Sequence, residues 1–275
     1  MKKIALLFGL LAAALLAITA DAASGTGSPH AGESANAKQA NSTMKKVILI
    51  GANGSTSKEI IPRLLEQDDV KLTLFLRRAS RMQDMQSDRV DVVEGDAARP
   101  ADLTRAIRGH EIVISTMGGM DLDANTANIA RAMKEVGSRH IVVISAGGIY
   151  DELPAAFNAW DKGMVGEYRP INLKAAEVAE RSGLTYTVLR PVWLTDKPTE
   201  GFQLTGKGEA YKGTETSRAS IGRFVADLVK APQLYANQNL GISQPDTDGD
   251  RPVAYRCPSS IKANSADVPA HSSTM

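Results

Sequence analysis

Short apolar runs alternate with helical patterns along most of this chain, from residue 46 to about residue 243. Five runs rich in Val, Ile and Leu predict buried strands at residues 47–50, 70–76, 90–94, 111–115 and 140–145. Helical spacing follows from residue 59, at 100–108 and at about 125–137. Near-continuous apolar strands that alternate with helices are typical of a parallel sheet with helices on both faces. We therefore predict a doubly wound α/β fold.

The last third of the chain is less regular. Its pattern predicts a short strand at Lys207–Tyr211, an amphipathic helix at Ser217–Lys230 and a last strand at Asn239–Ile242. Residues 244–275 are Ser-rich and without period, so we predict a disordered tail there. The main domain is therefore predicted to span residues 44–243.

A glycine turn stands between the first strand and the first helix. Its sequence is Gly51-Ala52-Asn53-Gly54-Ser55-Thr56-Ser57. The order of strand, glycine turn and helix predicts a dinucleotide-binding unit. Gly54 would let the backbone approach a pyrophosphate, whose charge the helix N-terminus would meet. Ser57 occupies the place of the third glycine, so the motif is incomplete and a plain connecting turn is the alternative.

Two arginines, Arg77 and Arg78, follow the second strand. A unit that prefers NAD usually ends this strand with an acidic residue, which binds the ribose 2′-hydroxyl. Two guanidinium groups without a carboxylate favour a 2′-phosphate instead, because arginine binds a dianion through charge-assisted, bidentate hydrogen bonds. We therefore predict that NADPH is preferred over NADH, with a solvated basic loop as the alternative.

Small polar residues recur where the other strands end. They are Asp96, Ser115 to Gly118, and Ser145. In open parallel sheets, ligands lie beyond the carboxyl ends of the strands. Each residue alone has a turn or a helix cap as an equal explanation, but their recurrence predicts a ligand site along this edge.

Composition narrows the function further. The 275 residues, 43% hydrophobic, suffice for one substantial core, and a net charge of +1 without a dense basic run gives no indication of a nucleic-acid partner. A single cysteine, Cys257, excludes an internal disulfide. The four histidines show no metal-ligand spacing, so no metal site is predicted, and the lack of a G-x-S-x-G motif disfavours a hydrolase.

The first 22 residues have the features of a signal peptide. Lys2 and Lys3 precede an apolar stretch that ends in Ala20-Asp21-Ala22, a small-x-small cleavage site. Residues 23–43 are predicted to be a flexible linker. We expect an exported protein without stable membrane insertion after cleavage, with an uncleaved anchor as an alternative. Translation from Met44 would instead give a cytoplasmic protein.

Several motifs together resemble one family. They are Gly51-Ala52-Asn53-Gly54, Leu74-Phe75-Leu76-Arg77, Val93-Glu94-Gly95-Asp96, Ser145 at its strand end, Lys174-Ala175-Ala176-Glu177, and the run from Ser182 to Pro191. Over roughly residues 45–245 the chain resembles an atypical short-chain dehydrogenase/reductase of the NAD(P)H-binding, NmrA-like group. The resemblance implies a Rossmann fold with strand order 3-2-1-4-5-6-7, a small C-terminal region on the substrate side, and bound NADP.

The resemblance also assigns cofactor contacts. It places the pyrophosphate at Gly51, Asn53, Gly54, Ser55 and Thr56, the 2′-phosphate at Arg77 with Arg78 beside it, the adenine at Asp96 and Ala97, and the ribose and nicotinamide at Thr116, Met117 and Gly118.

The catalytic residues match the family less well. Related reductases use a tyrosine four residues before a lysine, which binds the nicotinamide ribose and lowers the pKa of the phenol. Lys174 matches the lysine, but Pro170 stands at the tyrosine position. The remaining candidates are Ser145 on the substrate carbonyl and Tyr168 or Tyr150 as proton donor.

Three functions follow from these matches. We predict an NADPH-dependent reductase of a small carbonyl, quinone or flavin-like acceptor. A non-catalytic NADP(H)-binding sensor or interaction protein is the alternative, and a nucleotide-sugar isomerase is weaker because the tyrosine acid/base is missing.

Aromatic side chains are concentrated between Gly148 and Pro170. We predict a long loop that serves as a substrate lid, with a homodimer surface or simple packing as alternatives. Trp193 is expected to face the same pocket.

Overall fold

The computed structural model of the protein describes residues 44–256. The predicted signal peptide, the predicted linker and Cys257 lie outside the described residues. Within them, strands and helices alternate as the hydrophobic pattern predicts, up to the end of the fifth strand.

The strands are β1 Lys45–Ile50, β2 Val70–Leu76, β3 Val90–Glu94, β4 Ile112–Ser115, β5 His140–Ile144, β6 Thr185–Pro191, β7 Trp193–Thr195, β8 Gln203–Thr205, β9 Glu215–Ser217 and β10 Gln238–Ser243. The helices are α1 Ser55–Leu65, α2 Pro100–Ile107, α3 Leu122–Val136, α4 Ala155–Val165, α5 Arg169–Arg181 and α6 Arg218–Lys230. Helix α6 begins after Ser217, whose side chain accepts a hydrogen bond from the Ser220 amide.

The main sheet has the order β3-β2-β1-β4-β5-β6-β10-β8. Its strands are parallel except β8, which runs antiparallel to β10 at the edge. The predicted Rossmann order 3-2-1-4-5-6 is therefore confirmed, and β10 takes the seventh position. A separate two-stranded sheet pairs β7 with β9.

Helices cover both faces of the sheet, as predicted. On one face, α1 and α6 pack through Ile60, Leu64 and Phe224. On the other, α2, α3 and α5 bury residues such as Leu103 and Ile129. Gly222 allows α1 and α6 to lie close together, because a Cβ there would be 2.5 Å from the Glu59 carbonyl oxygen. Two apolar layers thus hold the strand ends in fixed relative positions.

The predicted strand at Lys207–Tyr211 is wrong. The edge strand is β8, and the chain turns directly after it. The Glu209 carboxylate accepts a hydrogen bond from the Gly206 amide at 2.8 Å, and Gly208 has a φ of +87°. That positive φ suits glycine and interrupts extended backbone.

The disordered tail was predicted to begin too early. Residues 244–256 pack on the domain, with the Gln244 amide bonded to the Glu215 carbonyl oxygen at 2.8 Å. Asp248 accepts from the Gly213 amide, and the Arg256 guanidinium donates to the Thr247 carbonyl oxygen. The first two of these contacts join residues far apart in the chain, which hydrophobic periodicity does not show.

The predicted long loop between Gly148 and Pro170 is also wrong. Most of this segment is helical, because α4 is followed by a 3-10 turn that leads into α5. Phe157 is fully buried, and Arg169 donates to the buried Asp161 carboxylate. Burial raises the pKa of Asp161, and the Arg169 guanidinium opposes that shift.

Candidate functional site

A cleft of about 770 Å³ opens at the carboxyl ends of β1 to β4. Parallel strands end at one edge, so the segments that follow them meet there. Ten predicted cofactor residues line this cleft: Gly51, Asn53, Gly54, Arg77, Arg78, Asp96, Ala97, Thr116, Met117 and Gly118. Ser55 and Thr56 begin α1 but do not line it.

The glycine turn lets a ligand approach its backbone closely. Gly51 has a φ of +87°, and a Cβ there would lie 3.1 Å from Thr116 Oγ1. Gly54 precedes α1 in extended conformation, and no side chain caps the helix. The first turn of α1 holds no acidic residue, so its amides and dipole favour an anion.

Ser57 stands where the dinucleotide-binding motif has its third glycine, and its side chain makes hydrogen bonds there. Its side chain is fully buried, and Oγ donates to the Gly51 carbonyl oxygen at 3.0 Å. The same hydroxyl lies 2.7 Å from Thr116 Oγ1. A hydroxyl at this position therefore fastens the turn, where the family motif has a glycine.

The arginine loop, residues 77–81, forms the wall beyond β2. Arg77, Arg78 and Arg81 are exposed and line the cleft. None of the three guanidinium groups makes a hydrogen bond or ion pair with a residue between 44 and 256. The Glu94 carboxylate holds the loop by accepting from the Ala79 amide at 3.0 Å.

Arg81 was not predicted from the sequence. A short 3-10 turn at Ala79–Arg81 brings it to the same cleft as Arg77 and Arg78. The available signal was an arginine four residues after Arg77.

The segment after β3 is rigid. Gly95 lies against the Phe75 ring, because a Cβ would be 2.4 Å from Phe75 Cε2. The Asp96 amide donates to the Asp102 carboxylate at 3.1 Å, and this bond contributes most to a lowered pKa of Asp102. Asn128 on α3 donates to the Ala97 carbonyl oxygen at 3.2 Å.

Of the three predicted catalytic residues, Ser145 follows β5, Tyr168 directly precedes α5 and Lys174 lies on α5, and none of them lines the cleft. Ser145 Oγ donates to the Asn172 carbonyl oxygen at 3.0 Å, and Asn172 Nδ2 donates to the Tyr168 carbonyl oxygen at 2.9 Å. Lys174 is exposed on the same helix. Pro170 lies in the first turn of α5, which places no phenol one turn before Lys174.

Tyr150, the other proposed proton donor, has its hydroxyl in a polar network away from the cleft lining. Asn239 Nδ2 donates to Tyr150 Oη at 2.9 Å, and the Arg190 guanidinium lies 5.2 Å from the ring centroid. Burial, and then the Glu180 charge, raise the pKa of Tyr150. A raised phenol pKa makes Tyr150 a poorer proton donor at neutral pH.

The sequence matches the NAD(P)H-binding family model over residues 51–232. The chain belongs to the NAD(P)H-binding family. The match contains the glycine turn, the arginine loop and the segments after β3 and β4. The prediction of an NAD(P)-binding oxidoreductase family with a Rossmann fold is thereby confirmed.

Solved structures agree with this membership. A short-chain dehydrogenase/reductase from Veillonella parvula DSM 2008, in complex with NADP, superposes with a TM-score of 0.71 at 25% identity, covering 76% of this chain and 99% of that one. A Rossmann-fold NAD(P)-binding family protein from Shigella flexneri is 32% identical, with a TM-score of 0.66, over 76% of this chain and 98% of its own.

One curated relative has a different description. A protein of Bacillus subtilis (strain 168), called the uncharacterized sugar epimerase YhfK, is 23% identical over 221 residues, which are 76% of this chain and 97% of that protein. This family member is thus similar to proteins described both as reductases and as an epimerase.

Four aromatic residues of this NAD(P)H-binding protein, Phe157, Trp160, Trp193 and Tyr255, form a cluster of their own. Trp160 on α4 lies 5.0 Å from Trp193 and 5.2 Å from Tyr255, measured between ring centroids. Phe157 stacks on Trp160 at 6.1 Å. None of the four rings lines the cleft. Trp160, which belongs to the segment predicted as a substrate lid, instead packs against Trp193 and Tyr255.

Residues 44–256 carry neither a candidate metal cluster nor a candidate membrane helix. That part of the chain contains no group of three or more His, Cys, Asp or Glu side chains placed to hold a metal. It also has no helix with the length and hydropathy of a membrane span.

Proposed function

We propose that this protein is an NADPH-dependent oxidoreductase that reduces a small carbonyl, quinone or flavin-like acceptor. The observation that carries the proposal is the arginine loop. Arg77, Arg78 and Arg81 line the same cleft as the glycine turn, and no described residue neutralises them.

The residues of the cleft fit NADP. Gly51 and Gly54 leave the backbone open where a Cβ would intrude, and the uncapped N-terminus of α1 suits a pyrophosphate. A 2′-phosphate at the arginine loop would gain bidentate hydrogen bonds that a 2′-hydroxyl cannot accept. Phosphate recognition therefore gives a physical reason to prefer NADPH over NADH.

Bound NADPH would supply a hydride, while the chain positions the acceptor and manages the proton. Lys174, exposed on α5, is proposed to bind the nicotinamide ribose hydroxyls. Ser145 is proposed to donate a hydrogen bond to the acceptor oxygen, after its hydroxyl rotates away from the Asn172 carbonyl oxygen. Because Pro170 replaces the tyrosine, the proton is proposed to come from Tyr168 or from water.

Pro170 favours one alternative, a non-catalytic NADP(H)-binding sensor. A protein that only binds the cofactor needs the arginine loop and the glycine turn but no phenol beside Lys174. A sugar epimerase is a weaker candidate, because that chemistry also needs an acid/base at the missing tyrosine position.

Turnover distinguishes the enzyme from the sensor. Oxidation of NADPH by the purified protein would be followed at 340 nm with panels of aldehydes, quinones and flavins, beside Lys174→Met. We expect acceptor-dependent oxidation that Lys174→Met lowers by about tenfold or more. NADPH binding without oxidation by any acceptor would overturn the enzyme and leave the sensor.

A further inference from the structure

The Asn125 side chain, which lines the cleft, has no hydrogen-bond partner among residues 44–256. Asn125 is 8% exposed and lines the cleft, and its side-chain amide makes no hydrogen bond with any residue in the described part of the chain. A buried amide that faces a cleft in this state is suited to binding a ligand.

The position of Asn125 indicates which end of the cleft it serves. It lies in the first turn of α3, one turn before Asn128, whose amide donates to the Ala97 carbonyl oxygen. Residues three apart share a helix face. Asn125 therefore faces the Asp96–Ala98 segment after β3.

The negative charges near Asn125 disfavour an anionic ligand group beside it. Asp121 lines the cleft directly before α3, and Asp123 lies in the first turn of the helix. Two carboxylates beside Asn125 would repel a phosphate. A neutral group with both a donor and an acceptor suits the site better.

Under the proposed function, such a group would be the adenine base. A 2′-phosphate on the arginine loop after β2 would place the base one ribose away, over the neighbouring end of β3. We propose that the Asn125 side chain hydrogen-bonds the amino edge of adenine, with Oδ1 accepting from the 6-amino group and Nδ2 donating to N7. The amide matches that pair because it carries one donor and one acceptor in a plane.

The test compares NADPH with its hypoxanthine analogue, in which an oxygen replaces the 6-amino group. Dissociation constants would be measured by fluorescence for the full-length protein and for three variants. Asn125→Asp keeps the acceptor and loses the donor, whereas Asn125→Leu removes both. Asn128→Leu is the matched control, because it removes an amide from the same helix that binds the protein and not the cleft.

The variants should differ in how much more tightly they bind NADPH than its hypoxanthine analogue. The hypoxanthine analogue presents two acceptors at this edge, O6 and N7, so the wild type should already prefer NADPH by about threefold. A carboxylate accepts from the 6-amino group but repels the oxygen, so Asn125→Asp should raise the preference for NADPH about tenfold. Asn125→Leu should weaken both ligands about 3- to 10-fold, and Asn128→Leu should keep the wild-type preference.

Each failure has a distinct meaning. An unchanged base preference in Asn125→Asp, with NADPH still bound by the wild type, would overturn the role of Asn125 alone. A wild-type protein that binds neither ligand would overturn the proposed function itself. Asn125→Asp is nearly isosteric, so its result stands even if Asn125→Leu does not fold.

Discussion

The hydroxyls of Ser57 and Thr116 lie 2.7 Å apart. Ser57 belongs to α1 and Thr116 follows β4, so this bond joins the glycine turn to the opposite wall of the cleft. Thr116 Oγ1 also reaches the Ile50 carbonyl oxygen at 3.1 Å. The missing third glycine is thus a local adaptation of the dinucleotide motif, because the serine hydroxyl replaces close packing with hydrogen bonds.

Removing the Ser57 hydroxyl should destabilise the domain. Ser57→Ala leaves the Thr116 hydroxyl with one partner fewer in a half-buried site, so we expect the free energy of unfolding to fall by about 1–2 kcal/mol. Urea unfolding measures the change. Ser80→Ala, at an exposed serine, should change it by less than about 0.5 kcal/mol. Equal effects of the two substitutions would contradict this assignment.

Adding a methyl group at Gly95 should overpack the wall beside β2. The new Cβ would lie 2.4 Å from the buried Phe75 ring, so Gly95→Ala should cost about 1–3 kcal/mol of unfolding free energy. A smaller partner should relieve the clash, which makes the cost in the Phe75→Leu background lower than in the wild type. Additive costs in the double-mutant cycle would show that the two residues do not conflict.

The ion pair of Glu152 and Arg190 should matter more than an exposed pair. Arg190 is fully buried and the Glu152 side chain is 4% exposed. Glu152→Gln leaves the guanidinium buried without a counter-charge, so we expect a loss of about 3–5 kcal/mol in unfolding free energy. The control is Asp227→Asn, which breaks the exposed pair with Arg223 on α6 and should cost less than about 1 kcal/mol. Similar losses of unfolding free energy in Glu152→Gln and Asp227→Asn would show that the buried ion pair matters no more than the exposed one.

His140 should make stability depend on pH. Burial lowers the pKa of His140 from 6.5 to about 4, and Nε2 lies 2.8 Å from Thr187 Oγ1. The unfolded chain therefore takes up a proton at higher pH than the folded one. The contribution of His140 is fully present above about pH 6.5 and is lost as the pH falls toward about 4, by up to about 3 kcal/mol.

Unfolding measured between pH 4 and pH 7 tests this sign. His140→Gln keeps a hydrogen-bonding group and should flatten the dependence. The slope should not vanish, because burial also lowers the pKa of His110. A His140→Gln variant with the full wild-type slope would show that another group causes the dependence.

The sheet could be predicted because each strand is a short apolar run between turn residues. β2 and β3 match their predicted bounds, and Gly137, at a φ of +76°, ends α3 where the pattern stops. The glycine turn and Arg77 were recognisable because they sit at fixed places in the strand-turn-helix order. Local sequence patterns were therefore sufficient to predict the fold and about half of the residues that line the cleft.

Other features depend on contacts between distant residues. Helix α4 was not predicted because Gly148 and Pro154 interrupt the pattern, whereas the buried Phe157 and the pair of Asp161 with Arg169 stabilise it. Asn125 has no motif around it, and only the meeting of α3 with the segment after β3 places it in the cleft.

The most direct test of the account is a fluorescence titration of the protein with NADPH and NADH, for the wild type, Arg81→Ala and Arg181→Ala. Arg81 lines the cleft, whereas the Arg181 side chain is 78% exposed on α5. We predict that the wild type binds NADPH at least about tenfold more tightly than NADH, and that Arg81→Ala removes most of this preference by weakening NADPH alone. Arg181→Ala should change neither affinity by more than about twofold. Equal affinity for the two cofactors, unchanged by Arg81→Ala, would contradict the assignment of the arginine loop to the 2′-phosphate.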